Sequence, residues 1–208
     1  GLWMNQVDRR VQRSRKLLQE AFRQLLAEQG FDAISVQDVA ERAEVNRGTF
    51  YAHFADKYAL LEQVVGESFQ DALLQRVPRG APFTAENLEL LTVAVLGFLG
   101  EFSSHCRPSD RTLTPLIETS MWRELYKRLL AWLDNPPGDG TKLAVAPETT
   151  ATMMSWAIFG TALAWSQGPR TDTAEACAQQ ILTLLTGGLA QLGRPPAASP
   201  VRQLAAST

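Results

Sequence analysis

Two short helical segments separated by only three residues restrict the folds open to this chain of 208 residues. Ser35 is an N-cap with Asp38 in the following first turn, so a helix is predicted to begin there and to end near Ala43. Asn46 is a good cap for the next helix, which is predicted to reach about Phe54. Two short helices joined so tightly form a helix-turn-helix, whose second helix enters the major groove of DNA.

Helical periodicity governs the rest of the chain, and no segment alternates as a half-buried strand does. Asp56 is predicted to cap the helix after the motif, and Asp172 with Glu175 is predicted to form a capping box for the last one. The further helices are predicted at Arg9–Gln29, Lys57–Gln75, Thr84–Ser104, around Pro115, Thr119–Leu133, Pro147–Gln167 and from Asp172 to Leu192. The predicted fold class is therefore all-α, with an N-terminal helix-turn-helix domain of three helices and a C-terminal helical bundle.

Charge is distributed unevenly along the chain, although the formal net charge is only -2. Between Arg9 and Arg23, Glu20 is the single acid among six basic residues. These basic residues are Arg9, Arg10, Arg13, Arg15, Lys16 and Arg23. A cluster of this kind is often only a solvated face, but beside a helix-turn-helix it favours a segment that contacts phosphates.

Gly48 stands at the second position of the predicted recognition helix, where a helix interior would disfavour it. Without a Cβ, the backbone there can lie close to a phosphate or a base edge, and the free N–H groups of the helix start attract phosphate. Arg47 is the best candidate for a bidentate contact with guanine, and Gln37 for one with adenine or phosphate. The full set of predicted DNA-binding residues is Ser35, Gln37, Asn46, Arg47, Gly48, Thr49, Tyr51, His53 and Lys57.

These residues resemble the DNA-binding domain of the tetracycline-repressor (TetR) family, whose pattern is met from Asn46 to Lys57. Upstream positions that also agree are Gly30, Phe31, Ser35, Val39, Ala40 and Ala43. One departure is Glu44, which stands in the turn where the family usually has Gly; a left-handed Glu costs about 1–2 kcal/mol. The resemblance implies a DNA-binding domain over 1–56 and a ligand-binding and dimerisation domain over 57–193, while the Ala/Ser/Pro composition of 194–208 predicts a disordered tail.

The resemblance also implies a homodimer, in which the last two helices form a four-helix bundle with their symmetry mates and two recognition helices read a palindrome. A stripe of small residues on the penultimate helix permits close approach, although tight packing within the chain is the alternative. The predicted dimer contacts are Ala157, Gly160, Thr161, Ala164, Ile181, Leu185, Gly188 and Leu192.

The second domain of this family usually holds a pocket for a small-molecule inducer. The predicted pocket residues are Phe98, Phe102, His105, Trp122, Tyr126 and Trp156. Residue by residue, such aromatic stripes are more often plain core. Few acids lie on them, so an aromatic or apolar ligand that is neutral or anionic is favoured over a cation. The implied function is a ligand-responsive regulator, most often a repressor, released from its operator by such a molecule.

Two other classes of function compete with this one. An enzyme is disfavoured because the chain lacks a nucleophile elbow, a phosphate-binding Gly loop and a His/Cys cluster with metal-ligand spacing, so no catalytic residue, cofactor or metal is predicted. An adaptor that kept the fold without operator recognition would differ in lacking salt-dependent, sequence-selective DNA affinity. The two distant cysteines, the absence of a secretory-signal pattern and apolar stretches too short for a membrane span predict a cytoplasmic protein.

Overall fold

The computed structural model describes residues 2–105, 113–134 and 145–189, and these ranges contain eight helices and no strand. The helices are α1 (Leu2–Gln29), α2 (Val36–Arg42), α3 (Arg47–His53), α4 (Lys57–Arg76), α5 (Ala85–His105), α6 (Thr114–Leu133), α7 (Pro147–Gln167) and α8 (Ala174–Leu189). The all-α prediction is confirmed.

Side-chain caps start the helices around the turn where the sequence placed them. Ser35 and Asp38 form a reciprocal capping box at α2, since each side chain bonds the backbone N–H of the other residue. Asn46 Oδ1 accepts from the backbone N–H of Thr49 at 2.7 Å, and Asp56 caps α4 in the same way. Each cap satisfies an N–H group that a helix start leaves without a partner.

Two predictions about the second half of the chain were wrong. The segment around Pro115 and the segment after Thr119 form one helix, α6, because a proline in the first turn removes no internal hydrogen bond. The predicted capping box at Asp172 is absent, since Thr173 Oγ1 accepts from the N–H of Ala176 while the Asp172 carboxylate accepts from Gln180. The predicted helix end at Leu192 and the predicted tail lie outside the described residues.

The buried side chains of the helix-turn-helix and of the bundle form one continuous apolar cluster. Phe50 and Phe54 anchor α3 in it, with Phe22 and Val39 among the buried neighbours. In the bundle, α6 packs against α4 and α7, while α5 packs against α4, α7 and α8. The fold therefore fixes α3 on α1 and α2, and fixes this head on the bundle through α4.

A polar junction reinforces the contact of α1 with α4. The Glu67 carboxylate accepts hydrogen bonds of 2.8 Å from both Gln19 and Gln63, and lies 3.7 Å from the Arg23 guanidinium. Arg15 donates to the side chain of Gln63. We call these five residues the head–bundle junction. Because Gln19 is buried, its hydrogen bond to a charged partner holds α1 at a defined position along α4.

Candidate nucleic-acid interface

The turn between α2 and α3 is closed by a pair of backbone hydrogen bonds. The N–H of Val45 donates to Ala40 O and the N–H of Glu44 donates to Glu41 O, each at 3.0 Å, which is the Schellman pattern of a helix end. This pattern requires a left-handed residue after the C-cap, and Glu44 has φ 55°. The turn therefore keeps its geometry with Glu44 in place of Gly, at the energetic cost of a side chain in a left-handed conformation.

Gly48 lies beside the cap of α3, and the structure gives it a local role that the sequence did not reveal. A Cβ at this position would lie 3.1 Å from Asn46 Oδ1. That oxygen already accepts from both the N–H and the hydroxyl of Thr49. The glycine thus leaves the cap uncrowded, and its backbone also faces solvent at the start of α3.

The exposed face of α3 presents a paired arginine and tyrosine. Tyr51 is 48% exposed, and its hydroxyl accepts from Arg47 Nη2 at 3.1 Å. The Arg47 guanidinium also lies 5.5 Å from the centre of the Tyr51 ring. This pairing orients a planar five-donor group outward beside an aromatic edge, the combination that suits guanine and phosphate recognition. Thr49 is half-buried on the same helix.

Two predicted phosphate contacts have partners inside the domain. Lys57 Nζ donates to Phe31 O at 3.1 Å and to Ile34 O at 2.8 Å, and it lies 4.4 Å from the centre of the Phe31 ring. His53 Nε2 lies 2.7 Å from Ser14 Oγ on α1. These contacts tie α3 and α4 to the elements before them, and the expectation that the same side chains also clamp phosphates stays a prediction.

The environment of His53 also affects its charge. Burial, and secondarily the nearby Arg15 guanidinium, lowers the pKa of His53 below its ordinary value of 6.5. A lowered pKa keeps the ring neutral at pH 7, so it attracts phosphate less than a charged histidine would.

The remaining predicted contacts lie at the start of α2 and are partly occupied. The Ser35 hydroxyl donates to Asp38, and with the Ser35 backbone N–H it holds the pKa of the Asp38 carboxyl below its ordinary value. Gln37 donates to Glu41 at 2.7 Å along the exposed side of α2. The Gln37 side chain is free to exchange that exposed bond for another acceptor, whereas Ser35 is fixed by the cap.

The basic cluster of α1 divides into two groups. Arg15 and Arg23 turn toward α4 and belong to the head–bundle junction. The exposed members are Arg9, Arg10, Arg13 and Lys16. Their concentration on solvent-facing turns gives α1 an electropositive surface, although the whole chain is slightly acidic.

A second candidate site is a cleft of about 540 Å³ between α5, α6 and α7. Its lining consists of Leu99, Phe102, Ser103, Thr114, Glu118, Leu163, Ser166, Gln167 and Arg170. Of the predicted pocket residues whose side chains are described, only Phe102 lines it. Glu118 and Arg170 were missed because neither lies on an aromatic stripe.

The other predicted pocket aromatics are used elsewhere. Phe98 packs edge-on against Phe69 at 5.2 Å, so it is part of the core between α4 and α5. Trp122 stacks between Tyr126 at 5.6 Å and Trp156 at 4.9 Å on the surfaces of α6 and α7. These four residues do not line this cleft, and their assignment to a ligand pocket stays a prediction. The side chain of the sixth residue, a histidine at position 105, lies outside the described set.

The predicted dimer surface is partly present as an exposed stripe. Gly160, Thr161 and Ala164 are exposed on α7 and Ala157 is half-buried. Large apolar side chains extend this stripe: Met153 is 67%, Trp156 56% and Leu184 80% exposed. We call these seven residues the α7–α8 stripe. Large exposed apolar side chains of this kind are typical of an interface.

The α8 part of the dimer prediction needs correction. Ile181 is only 5% exposed and belongs to the core of its own chain, and Leu185 is half-buried against that core. Leu184 is the outward residue of this turn. Gly188 lies within α8, but its burial is not among the described features. Leu192 lies outside the described residues.

Within the described ranges, no group of three histidine, cysteine or acidic side chains is placed to hold a metal ion. Across the same ranges, no helix combines the length and apolarity that a membrane span requires.

Comparison with known proteins identifies the N-terminal segment. Residues 18–64 match the family model of the bacterial regulatory proteins of the tetR family. The uncharacterized HTH-type transcriptional regulator YxbF of Bacillus subtilis (strain 168) is 42% identical over 64 residues, which are 30% of this chain and 17% of YxbF. The HTH-type transcriptional repressor DhaR of Mycobacterium sp. (strain GP1) is 44% identical over 62 residues, 30% of each chain. The match thus spans less than a third of the length of these curated relatives.

The remainder of the chain is related in fold. The TetR family repressor AlkX from Dietzia sp. strain DQ12-45-1b aligns with a TM-score of 0.58 and 20% identity, over 86% of this chain and 97% of AlkX. The tetR family consists of transcriptional regulators rather than enzymes. Residues 18–64 therefore match the tetR family of bacterial regulatory proteins in sequence, and the helical architecture of the described chain matches a solved tetR-family repressor in fold.

Proposed function

We propose that this chain is a ligand-responsive repressor, which acts as a homodimer on a palindromic operator and is released by a small molecule. The observation that carries the proposal is the outward pair of Arg47 and Tyr51 on a capped helix whose leading end is open at Gly48. The Arg47 guanidinium, the edge of the Tyr51 ring and free backbone N–H groups therefore lie together at one exposed helix start. This combination supports major-groove recognition.

The basic surface of α1 supports the same proposal in a different way. Its exposed arginines and lysine suit phosphate contacts, which supply affinity and position without reading sequence. We propose that α3 supplies specificity and that α1 supplies a salt-dependent component. The predicted roles of Thr49 and Gln37 at base edges belong to this proposal.

A dimer is supported by the exposed α7–α8 stripe. Its small residues permit close helix approach, and its three large apolar side chains gain most from being covered. A twofold arrangement through this stripe gives two recognition helices, which a palindrome requires.

Ligand response is supported by the cleft between α5, α6 and α7, and repression by the resemblance to DhaR and AlkX, which are both repressors. AlkX is implicated in the biodegradation of n-alkanes. In the proposed mechanism, the ligand favours a dimer whose heads are spaced differently, and shifts that balance only by its differential affinity for the two states.

The test begins with selection of duplexes from a random pool by the full chain, followed by anisotropy titrations of the selected site. Arg47→Ala and Tyr51→Ala are each expected to weaken specific binding by about 1–3 kcal/mol. Arg76→Ala is the matched control, because Arg76 is an exposed arginine at the far end of α4. Equal affinity of all four proteins for the selected duplex would contradict the assignment of α3. Selection of no sequence at any salt concentration would favour an adaptor.

A further inference from the structure

The polar groups that line the cleft differ in whether they already have partners. Ser103 Oγ donates to Ser166 Oγ at 3.1 Å, and Ser166 Oγ donates to Leu163 O at 2.8 Å. The two hydroxyl protons are therefore used within the protein. They hold α5 against α7 and leave the apolar side chains of Leu99 and Phe102 as the main surface of that wall.

Arg170 is likewise committed to the protein. Its Nη2 donates at 2.9 Å to Gly100 O and to Ser166 O, and its Nε donates to Ser166 O at 3.1 Å. The guanidinium also lies 5.5 Å from the centre of the Trp165 ring. Since Ser166 is in the last turn of α7, the positive charge lies at the negative end of that helix dipole. Its charge and donors thus complete the end of α7 and brace it on α5.

Glu118 is different, because no other described residue forms a hydrogen bond or an ion pair with its carboxylate. It is half-buried on α6 and lines the same cleft as Phe102 and Leu163. Burial raises the pKa of Glu118 above its ordinary value of 4.5, which means that the charged form loses solvation there without a described partner to compensate. A cation placed in the cleft would supply that compensation.

We propose that the ligand of the cleft is an organic amine, whose protonated nitrogen pairs with the Glu118 carboxylate while its apolar body lies against Leu99, Phe102 and Leu163. The Phe102 ring adds a second attraction, because an aromatic face draws a nearby cation. This inference rests on the proposed function for the identity of the cleft as the ligand site. It reverses the charge preference that the sequence suggested, since Phe102 is the one predicted pocket residue with a described side chain that lines this cleft, whereas the acidic Glu118 lies outside the predicted stripes.

The experiment compares three probes with one apolar body and different head groups: phenylbutylamine, phenylbutanol and phenylbutyrate. Their binding to the full chain is measured by isothermal titration calorimetry at pH 7. The amine is expected to bind at least about tenfold more tightly than the alcohol, as one charge-assisted hydrogen bond gives, and the carboxylate to bind most weakly. Glu118→Gln is expected to remove the preference for the amine while leaving binding of the alcohol within about twofold.

Glu124→Gln is the matched control, since it removes the same charge from the same helix but outside the cleft. It is expected to keep the amine preference. Tighter binding of the carboxylate, equal or absent binding of all three probes, or an amine preference that survives Glu118→Gln would overturn the inference. The proposed function is tested separately by adding the amine to the complex of the protein with DNA. If the amine binds through Glu118 but does not release the DNA, the inducer role is contradicted, while the assignment of the ligand as an amine is not.

Discussion

Replacing Gly48 with alanine separates the two roles that this glycine can have. The added Cβ would lie 3.1 Å from Asn46 Oδ1, so the cap must move by a few tenths of an ångström. Asn46 is exposed, so its side chain has room to shift. Loss of the whole cap would cost about 1 kcal/mol. Alanine regains up to about 1 kcal/mol in helix propensity relative to glycine. The two effects oppose each other, so the free energy of unfolding is expected to change by less than about 1 kcal/mol.

A change of that size moves the melting temperature of a domain this large by at most about 4 °C, which circular dichroism resolves. DNA affinity is expected to respond more strongly, because a methyl group at the leading end of α3 would hold the backbone away from a phosphate. We expect Gly48→Ala to weaken binding of the selected duplex at least about tenfold, or about 1.4 kcal/mol, in an anisotropy titration.

A double variant distinguishes a crowded cap from a blocked approach to DNA. Asn46→Ser keeps an oxygen cap but shortens the side chain that the new Cβ would meet. If crowding were the cause, the added alanine would cost little affinity in the Asn46→Ser background. We expect the loss to be the same in both backgrounds. Unchanged affinity of a folded Gly48→Ala protein would refute the idea that the glycine admits a nucleic-acid strand.

Glu44→Gly is expected to stabilise the protein by about 1 kcal/mol in urea unfolding by relieving the left-handed side chain, whereas Glu44→Ala, which keeps a Cβ, should show no comparable gain. Lys57→Met is expected to lower the free energy of unfolding by about 1–3 kcal/mol, because the carbonyls of Phe31 and Ile34 lose their donor; a loss of DNA affinity without a loss of stability would instead support a phosphate role. His53 has a pKa below 6.5 in the folded state, so the unfolded chain binds its proton more readily and stability should fall as pH decreases from 7.5 to 5.5. Thermal melts of His53→Gln should show a smaller decrease over this range, and an identical decrease would contradict the assignment.

The N-terminal half was predictable because its signals are local. Ser35, Asn46 and Asp56 each cap a helix through a hydrogen bond to a residue three positions later, so identity and spacing together specify the geometry. The left-handed conformation of Glu44 is also a local effect, since a Schellman turn requires a left-handed residue directly after the C-cap. The partners of Lys57 could not be predicted from its neighbours in sequence, because the carbonyls of Phe31 and Ile34 are brought near it only by the packing of the three-helix head.

The bundle was less predictable because each of its helices is apolar on more than one side. On α8, Ile181 faces the chain's own core while Leu184, one turn later, faces solvent, and periodicity alone does not say which side a second copy would cover. The residues that line the cleft were hard to predict for the same reason. Its lining depends on how α5, α6 and α7 are rotated about their axes, and this rotation brought Glu118 rather than Trp122 to the cavity.

The position of α6 joins the two ends of the proposed mechanism. Glu118 lies in the cleft. Within the next one and a half helical turns or so of α6, Ser120 Oγ donates to Glu62 O on α4 at 2.8 Å, and Arg123 pairs with the Glu62 carboxylate at 2.7 Å. The helices touch closely at this point, because a Cβ on Gly66 would lie 3.0 Å from Ser120 Oγ. A ligand that moves α6 must therefore either break these contacts or carry α4 along. Because α4 is bonded to α1 through the head–bundle junction, we propose that a movement of α4 with α6 would displace the helix-turn-helix, and that the polar contacts of the junction would carry this displacement.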